Sequence, residues 1–354
     1  LNPFNVDGLS THGHNPFAEL KQSKNLSADA AQIADALIIP PEKGDSHWTD
    51  SAKNLITGLM LHALDMTPDE ASIPLLRWQL AHEAGLLALF NAMVKNEELD
   101  GVIKNIGASM SGKFTEEAGK APVMSNELRS IISTAVEQTR PLDDVRPALT
   151  RHDFNLSDFS GEQPMTVYLV LPATRISTHH RWLRLFIYQL IAALERHPIA
   201  RDRLPLWLVL EEFAALGNLR TIETAAGYMA GMGCKLWAVL QDLTQLKTHY
   251  PHSWETFLGN AGVIQAFGVV DVTTTRYLSD LLGQTTVIEE QMNFVTAAQR
   301  SHGDDGTRQN LRSVPLLAPA EITLHFARET EQQMIFVPGQ KPAYLKRLDD
   351  RFIK

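Results

Sequence analysis

Two adjacent carboxylates, Glu211 and Glu212, stand directly after the apolar run LWLVL (206–210). A buried strand ending on paired acids is the arrangement of a Walker B strand. There one carboxylate holds the hydration shell of Mg2+ and the next polarises an attacking water. The apolar lead anchors the strand in a core, and the strand in turn fixes the acids. A solvated turn after any buried strand offers the same residue types, so both readings stay open on these residues alone. Gln241, which ends KLWAVLQ, suits a sensor of a terminal phosphate, because a neutral amide can donate to a phosphate oxygen and accept from a lytic water. Its other reading is a surface amide capping the helix DLTQLKTHY. Thr174 and Arg175 follow the run MTVYLVLP, and Asp271 precedes VTTTRYLSDLLG, where it or a following Thr is expected to be a helix N-cap.

A nucleotide site also needs a phosphate loop. Gly107 to Lys113 reads GASMSGK and meets the G-x-x-x-x-G-K spacing, but Phe114 stands where a Mg2+-binding Ser or Thr is required. The preceding LDGVIKNI is a polar-interrupted helical pattern, so a loop between helices is expected there and the phosphate loop is expected upstream of Leu1. The stretch 1–354 alone is accordingly expected to bind ATP poorly and not to turn it over. His12 with His14, His179 with His180, and His249 with His252 lack a nearby Cys or carboxylate at metal-ligand spacing. No structural metal site is expected, and these histidines read as polar surface. The single Cys, Cys234, excludes an internal disulfide and any multi-Cys metal site, and its place at the head of an apolar strand predicts a buried thiol.

The elements that must position these residues fall into two styles. From Met165 onward, apolar runs at 165–172, 206–210, 235–240 and 263–270 alternate with amphipathic stretches, the pattern of a parallel sheet with crossover helices. Continuous apolarity predicts strands covered on both faces. Between the first two runs, Leu183, Phe186, Ile187, Leu190, Ile191 and Leu194 recur at helical spacing before Pro198. Residues 47–158 carry no strand-like run and read as an all-helical block. Its first helix, Trp48 to Leu64, opens on a Thr/Asp/Ser cluster and repeats Ala52, Leu55, Ile56, Leu59, Met60 and Ala63. Trp48, Trp78 and Trp182 are expected in the core, and the polar stretch 299–309 is expected to be a loop.

The 354 residues, 44% hydrophobic and 21% charged, are enough for more than one core and exclude a disordered or coiled-coil chain. No run approaches the ~18 apolar residues of a membrane span. The net charge of -9 opposes simple adhesion to nucleic acid. The block 47–158 holds 10 Lys/Arg against 16 Asp/Glu, which makes it a candidate for meeting a basic partner. Its acidic positions Glu97, Glu98, Asp100, Glu116 and Glu117 are the expected cargo-facing residues, with solubility alone as the competing role.

The order HNPFAELK, HWTDSAKNLITGLMLHAL, ELRSIISTAVEQTRPLDDV, VYLVLPATR, WLRLFIYQLIAALE, LWLVLEEFAALGNL, LQDLTQLKTHYPHSWETFLGNAGV and DVTTTRYLSDLLGQTTV resembles the coupling ATPases of type IV secretion and conjugation, the TraG/TraD type. The EEFAALGNL and QDLTQLK segments are specific to that family, and the resemblance spans nearly the whole chain. It implies an α/β fold with a RecA-like P-loop NTPase core and mostly parallel sheet, interrupted by an all-α domain. The expected division is 1–46 and 159–354 for the nucleotide-binding domain, lacking its first strand and phosphate loop, and 47–158 for the all-α domain. The resemblance further implies a hexameric ATP- and Mg2+-dependent motor at the cytoplasmic side of the bacterial inner membrane, anchored outside this stretch. Such a motor passes DNA with its relaxase, or protein effectors, to a secretion channel, with adaptor proteins as further partners. Glu212, Glu211 and Gln241 would then be catalytic, with Glu211 holding Mg2+ through water. Arg276 and Arg312, after the last core run, are candidates for a cation supplied by a neighbouring subunit. The family's first acid is usually Asp, so the extra methylene of Glu211 shifts its carboxylate relative to the Mg2+ shell. A non-hydrolytic cargo receptor and a septal-type DNA translocase are the alternatives, the latter fitting the PATR and EEFAALG segments less well.

Overall fold

The computed structural model describes residues 1–41, 46–115, 121–225, 227–292 and 307–348. They form two compact units, Leu1–Ala238 and Val239–Lys354.

The first unit begins with α1 (Pro16–Leu20), capped by the Asn15 side chain and opened by Pro16, and α2 (Leu26–Leu37). There follow α3 (His47–Met66), α4 (Ile73–Ala81), α5 (Glu83–Val94) and α6 (Val102–Ser111). A two-residue antiparallel pair, β1 (Phe114–Thr115) and β2 (Val123–Met124), leads to α7 (Asn126–Thr139), capped by Ser125, and α8 (Arg146–Thr150). The apolar stripe read from the sequence of α3 is the stripe that packs, with Ala52, Leu55, Ile56, Leu59, Met60 and Ala63 all buried. Side chains of α1–α8 share one hydrophobic core with Trp182, Leu185 and Tyr188 of α9 (Ile176–Arg196). Trp48 and Trp78, expected in the core, are instead 39% and 56% exposed, and Trp78 packs at a tilt against His82 of its own helix end with ring centroids 4.3 Å apart.

Two parallel strands close this unit, β3 (Leu206–Leu210) and β4 (Cys234–Ala238), with α10 (Arg220–Ala225) between them. Their register runs from Leu206↔Cys234 to Leu210↔Ala238. Continuous apolarity predicts two covered faces, but Trp207, Val209 and Trp237 remain about half exposed. Residues 165–172 form no strand. There Leu1 N donates to Tyr168 O, and Val170 N donates to Leu1 O.

The second unit contains α11 (Leu243–His249), α12 (Trp254–Gly259), β5 (Ile264–Ala266), α13 (Val272–Leu282), β6 (Gln284–Met292), β7 (Thr307–Pro315), α14 (Pro319–His325), β8 (Gln332–Phe336) and β9 (Ala343–Lys346). The run 263–270 therefore supplies a three-residue strand that pairs antiparallel with β8, and β8 pairs antiparallel with β9. That pairing decides the direction of β5, and a short run cannot reveal it. Ala266, Val269, Leu278, Ile322, Phe326, Met334 and Phe336 form this unit's core. Of the stretch 299–309, residues 307–309 begin β7 and the others lie outside the described residues. Among the described residues no helix is long and apolar enough to cross a membrane.

Candidate functional site

Leu206, Leu208 and Leu210 hold β3 on its half-buried face, and the chain then leaves the sheet at Glu211 and Glu212, both exposed. Glu212 precedes a 3-10 turn, Phe213–Leu216, and its side chain does not cap that turn. Phe213 and Leu216 are 2% exposed, so the turn is pinned into the core. Gly217 ends it at φ 64 and ψ -159, a conformation a Cβ disfavours. A second clamp comes from the middle of α9. Arg184 is 6% exposed, and its Nη1 donates to Leu216 O at 2.9 Å and Asn218 O at 2.6 Å. Its Nε donates to Ala36 O. A guanidinium buried among carbonyls ties α2, α9 and the loop after β3 together. The result is a pair of hard oxygen donors on a fixed turn, which suits the water shell of Mg2+ and the removal of a proton from water.

Gln241 is exposed, three residues beyond the end of β4, and its backbone N donates to Gln245 Oε1 at 2.9 Å. The cap of α11 is Asp242, whose side chain accepts from Gln245 N, so Gln241 is not that cap. Asp271 caps α13 as expected, accepting from Thr274 N at 2.8 Å. Thr174 and Arg175 lie in a 3-10 turn, and the Arg175 guanidinium sits 5.7 Å from the Phe4 ring centroid. Arg276 is exposed on α13, and Arg312 is exposed on β7 opposite Val287.

The segment GASMSGK is no phosphate loop, because it follows no strand. Gly107 lies inside α6, where a Cβ would meet Met93 Cβ at 2.6 Å and Val94 N at 2.9 Å. That glycine is required for helix packing. Lys113 pairs with Glu127 at the start of α7, which holds the Glu127 carboxyl below its usual range through that hydrogen bond.

Glu97, Glu98 and Asp100 are exposed on the turn between α5 and α6. Glu97 pairs with Lys104 at 2.7 Å, and the hydrogen bond lowers its pKa. Leu99, Asp100 and Gly101 all take positive φ, 54, 54 and 77, a costly backbone for the first two. Glu116 and Glu117 lie outside the described residues.

The other candidates resolve plainly. Cys234 is buried, and burial pushes its thiol up to about 12. His14 and His179 are buried rather than surface residues: His14 faces Gln189 and His179 Nε2 lies 3.1 Å from Asp144. Among the described residues no group of three or more His, Cys, Asp or Glu is placed to hold a metal ion. Arg184 escaped the sequence reading. Its one signal is a charged residue set between Leu183 and Leu185 in an apolar helix.

The family model "Type IV secretory system Conjugative DNA transfer" matches residues 1–349. Among characterised relatives, the conjugal transfer protein TraG of Escherichia coli is 29% identical over 334 residues, covering 87% of this chain and 50% of the relative. Protein VirD4 of Rhizobium rhizogenes is 23% identical over 352 residues, covering 97% of this chain and 50% of the relative. The chain thus spans about half the length of these curated relatives. Among solved structures, the bacterial conjugative coupling protein TrwBdeltaN70 superposes with a TM-score of 0.66 at 15% identity, over 98% of this chain and 73% of that one. TrwB in complex with ADP and Mg2+ gives 0.64 at 16% identity, over 96% and 71%. The fold is therefore that of the coupling protein TrwB, a RecA-like α/β core interrupted by an all-α domain.

Proposed function

Because this chain belongs to the type IV secretory system conjugative DNA-transfer family, we propose that it is part of an ATP-driven coupling protein that delivers cargo to a secretion channel. The observation that carries this reading is the pair Glu211 and Glu212 on the clamped turn after β3. ATP with Mg2+ supplies the phosphoryl group whose hydrolysis drives the motor. Glu211 holds the water shell of the metal, and Glu212 accepts the proton of the attacking water. Gln241 donates to the terminal phosphate. Arg276 and Arg312 are the candidate cations that one subunit lends to the next in a hexameric ring. The binding of ADP and Mg2+ by the neighbour TrwB supports nucleotide as the ligand. The phosphate cradle is not among the described residues, so the carboxylate side is the part of the site argued from this chain.

In this reading residues 1–46 with 159–354 are the nucleotide-binding domain and 47–158 the all-α domain. The latter meets cargo at Glu97, Glu98 and Asp100, with Glu116 and Glu117 as further acidic positions. An acidic surface repels DNA phosphate, so its direct partner is a protein: a basic relaxase segment, an adaptor, or the tail of an effector. DNA is moved with its relaxase. The working place is the cytoplasmic side of the bacterial inner membrane. The test is turnover by the intact parent protein. Glu212→Gln keeps size and polarity but removes the base, so ATP binding should persist while turnover falls by about two to four orders of magnitude. Glu211→Ala should move half-maximal activity to higher Mg2+. Unchanged turnover in Glu212→Gln would refute the assignment.

A further inference from the structure

The last carbonyls of a helix lack partners within it. At the end of α2, those of Ala36 and Leu37 accept instead from Arg184 Nε at 3.3 Å and Arg181 Nε at 3.1 Å. The two arginines stand three residues apart on α9 and so share one face of it. Arg184 reaches onward with Nη1 to Leu216 O and Asn218 O, on the turn that follows Glu211 and Glu212. A guanidinium is a rigid plane with its donors in a fixed fork. One such plane therefore sets the spacing between the end of α2 and the acidic turn.

Arg181 reaches the other way, and its Nη2 donates to Gln138 Oε1 at 3.2 Å. Gln138, in the last turn of α7, holds the exit of α2 much as a neighbouring strand would: its Oε1 accepts from Ile39 N at 2.7 Å and its Nε2 donates to Ile39 O at 3.1 Å. The same turn of α7 is fixed to α4. Arg77, 8% exposed, donates from Nη1 to Val136 O and Thr139 Oγ1 and pairs through Nε and Nη2 with both carboxylate oxygens of Asp143. From α7 to the strand tip the links are thus one amide, two guanidiniums and the helix that carries both, all within the unit Leu1–Ala238. Hydrogen bonds are directional, and a buried donor parted from its acceptor is costly. A displacement at one end of the array is therefore passed along it rather than absorbed.

We infer that Arg184 is a positioning residue for the acidic turn, and that Arg181 and Gln138 extend its hold to α7, so that the setting of Glu211 and Glu212 follows the packing of α7 against the exit of α2. The inference rests on the assignment of those two acids made above. Phe213 and Leu216 anchor the turn by packing, but packing does not connect it to α7. Arg184 supplies that connection. A base misplaced by about 1 Å can lose about a hundredfold in rate, so a small shift at the end of α2 is enough to switch turnover down. The block 47–158, assigned above to cargo, thereby gains a route to the site of hydrolysis.

The test is steady-state ATP turnover by the intact parent, with melting curves confirming that each variant is folded. Arg184→Lys keeps the charge and loses the fork, so kcat should fall at least about tenfold while KM for ATP stays within about twofold, since the phosphate side of the site is untouched. Half-maximal activity should also move to higher Mg2+, because Glu211 shares the turn. Gln138→Ala removes no charge and lies on another helix, yet it should lower kcat in the same pattern. In the Arg184→Lys background it should cost nothing further, because the route is already cut; two independent packing defects would instead multiply. Should Arg184→Lys not fold, Arg181→Gln takes its place in this cycle. Glu212→Gln, measured alongside, separates the two claims. If it abolishes turnover while the folded Arg184→Lys and Gln138→Ala variants keep the wild-type kcat and Mg2+ dependence, the positioning role is overturned and the acids stand. Effects that multiply in the double variant would overturn the link to α7, and unchanged turnover in Glu212→Gln would overturn both claims.

Discussion

At the scale of single residues, the groups that matter most differ in how visibly they are written. Glu211 and Glu212 stand out because acids directly after an apolar run are conspicuous, while their clamp, Arg184, is hidden in an apolar helix and acquires meaning only when α2 and the loop after β3 arrive beside it. His14 is similar: it reads as a surface residue but is 3% exposed. Burial, outweighing its hydrogen bond to Gln189, lowers its pKa from 6.5 to about 4. The folded state therefore refuses a proton that the unfolded chain accepts. Stability from this group is complete above pH 6.5 and is lost as pH falls toward 4, by about 3 kcal/mol in all. Glu19, 2% exposed, opposes it. Burial raises its carboxyl pKa, so its contribution is present at acid pH and fades as pH rises through the folded value. Urea midpoints at pH 7 and pH 4.5 should differ less in His14→Gln than in the wild-type chain. An equal difference in both would show that His14 does not set the acid limb.

At the scale of elements, helices are legible and strand pairings are not. The 3.6-residue period of α3 and α9 names their buried residues because a helix face is decided locally. The apolar runs locate β3 and β4, yet burial of their faces depends on what packs against them, and the direction of β5 depends on β8, far along the chain. GASMSGK shows the hazard of spacing without context. Gly107→Val should destabilise the chain by about 1–3 kcal/mol in denaturant titration, since the added atoms collide with Met93 and the backbone of Val94. Lys113→Ala should leave ATP binding by the intact parent unchanged. Loss of binding in Lys113→Ala would restore that segment as a phosphate loop.

At the scale of the whole molecule, the proposal assigns protein cargo to the acidic turn between α5 and α6 and nucleotide to the strand tip after β3. If the acidic turn between α5 and α6 docks cargo, the full chain should bind a basic peptide, and that binding should weaken as the Debye length shrinks from about 10 to 3 Å. Glu97→Gln with Glu98→Gln and Asp100→Asn should weaken it further. Binding indifferent to salt and to those changes would exclude the acidic turn as the dock. The central claim is that hydrolysis at the strand tip after β3 drives transfer. Its most direct measurement is the frequency of conjugative DNA transfer from cells whose only copy of the intact parent carries Glu212→Gln, with the protein present at wild-type level. Transfer should collapse together with turnover; transfer at wild-type frequency would contradict the account.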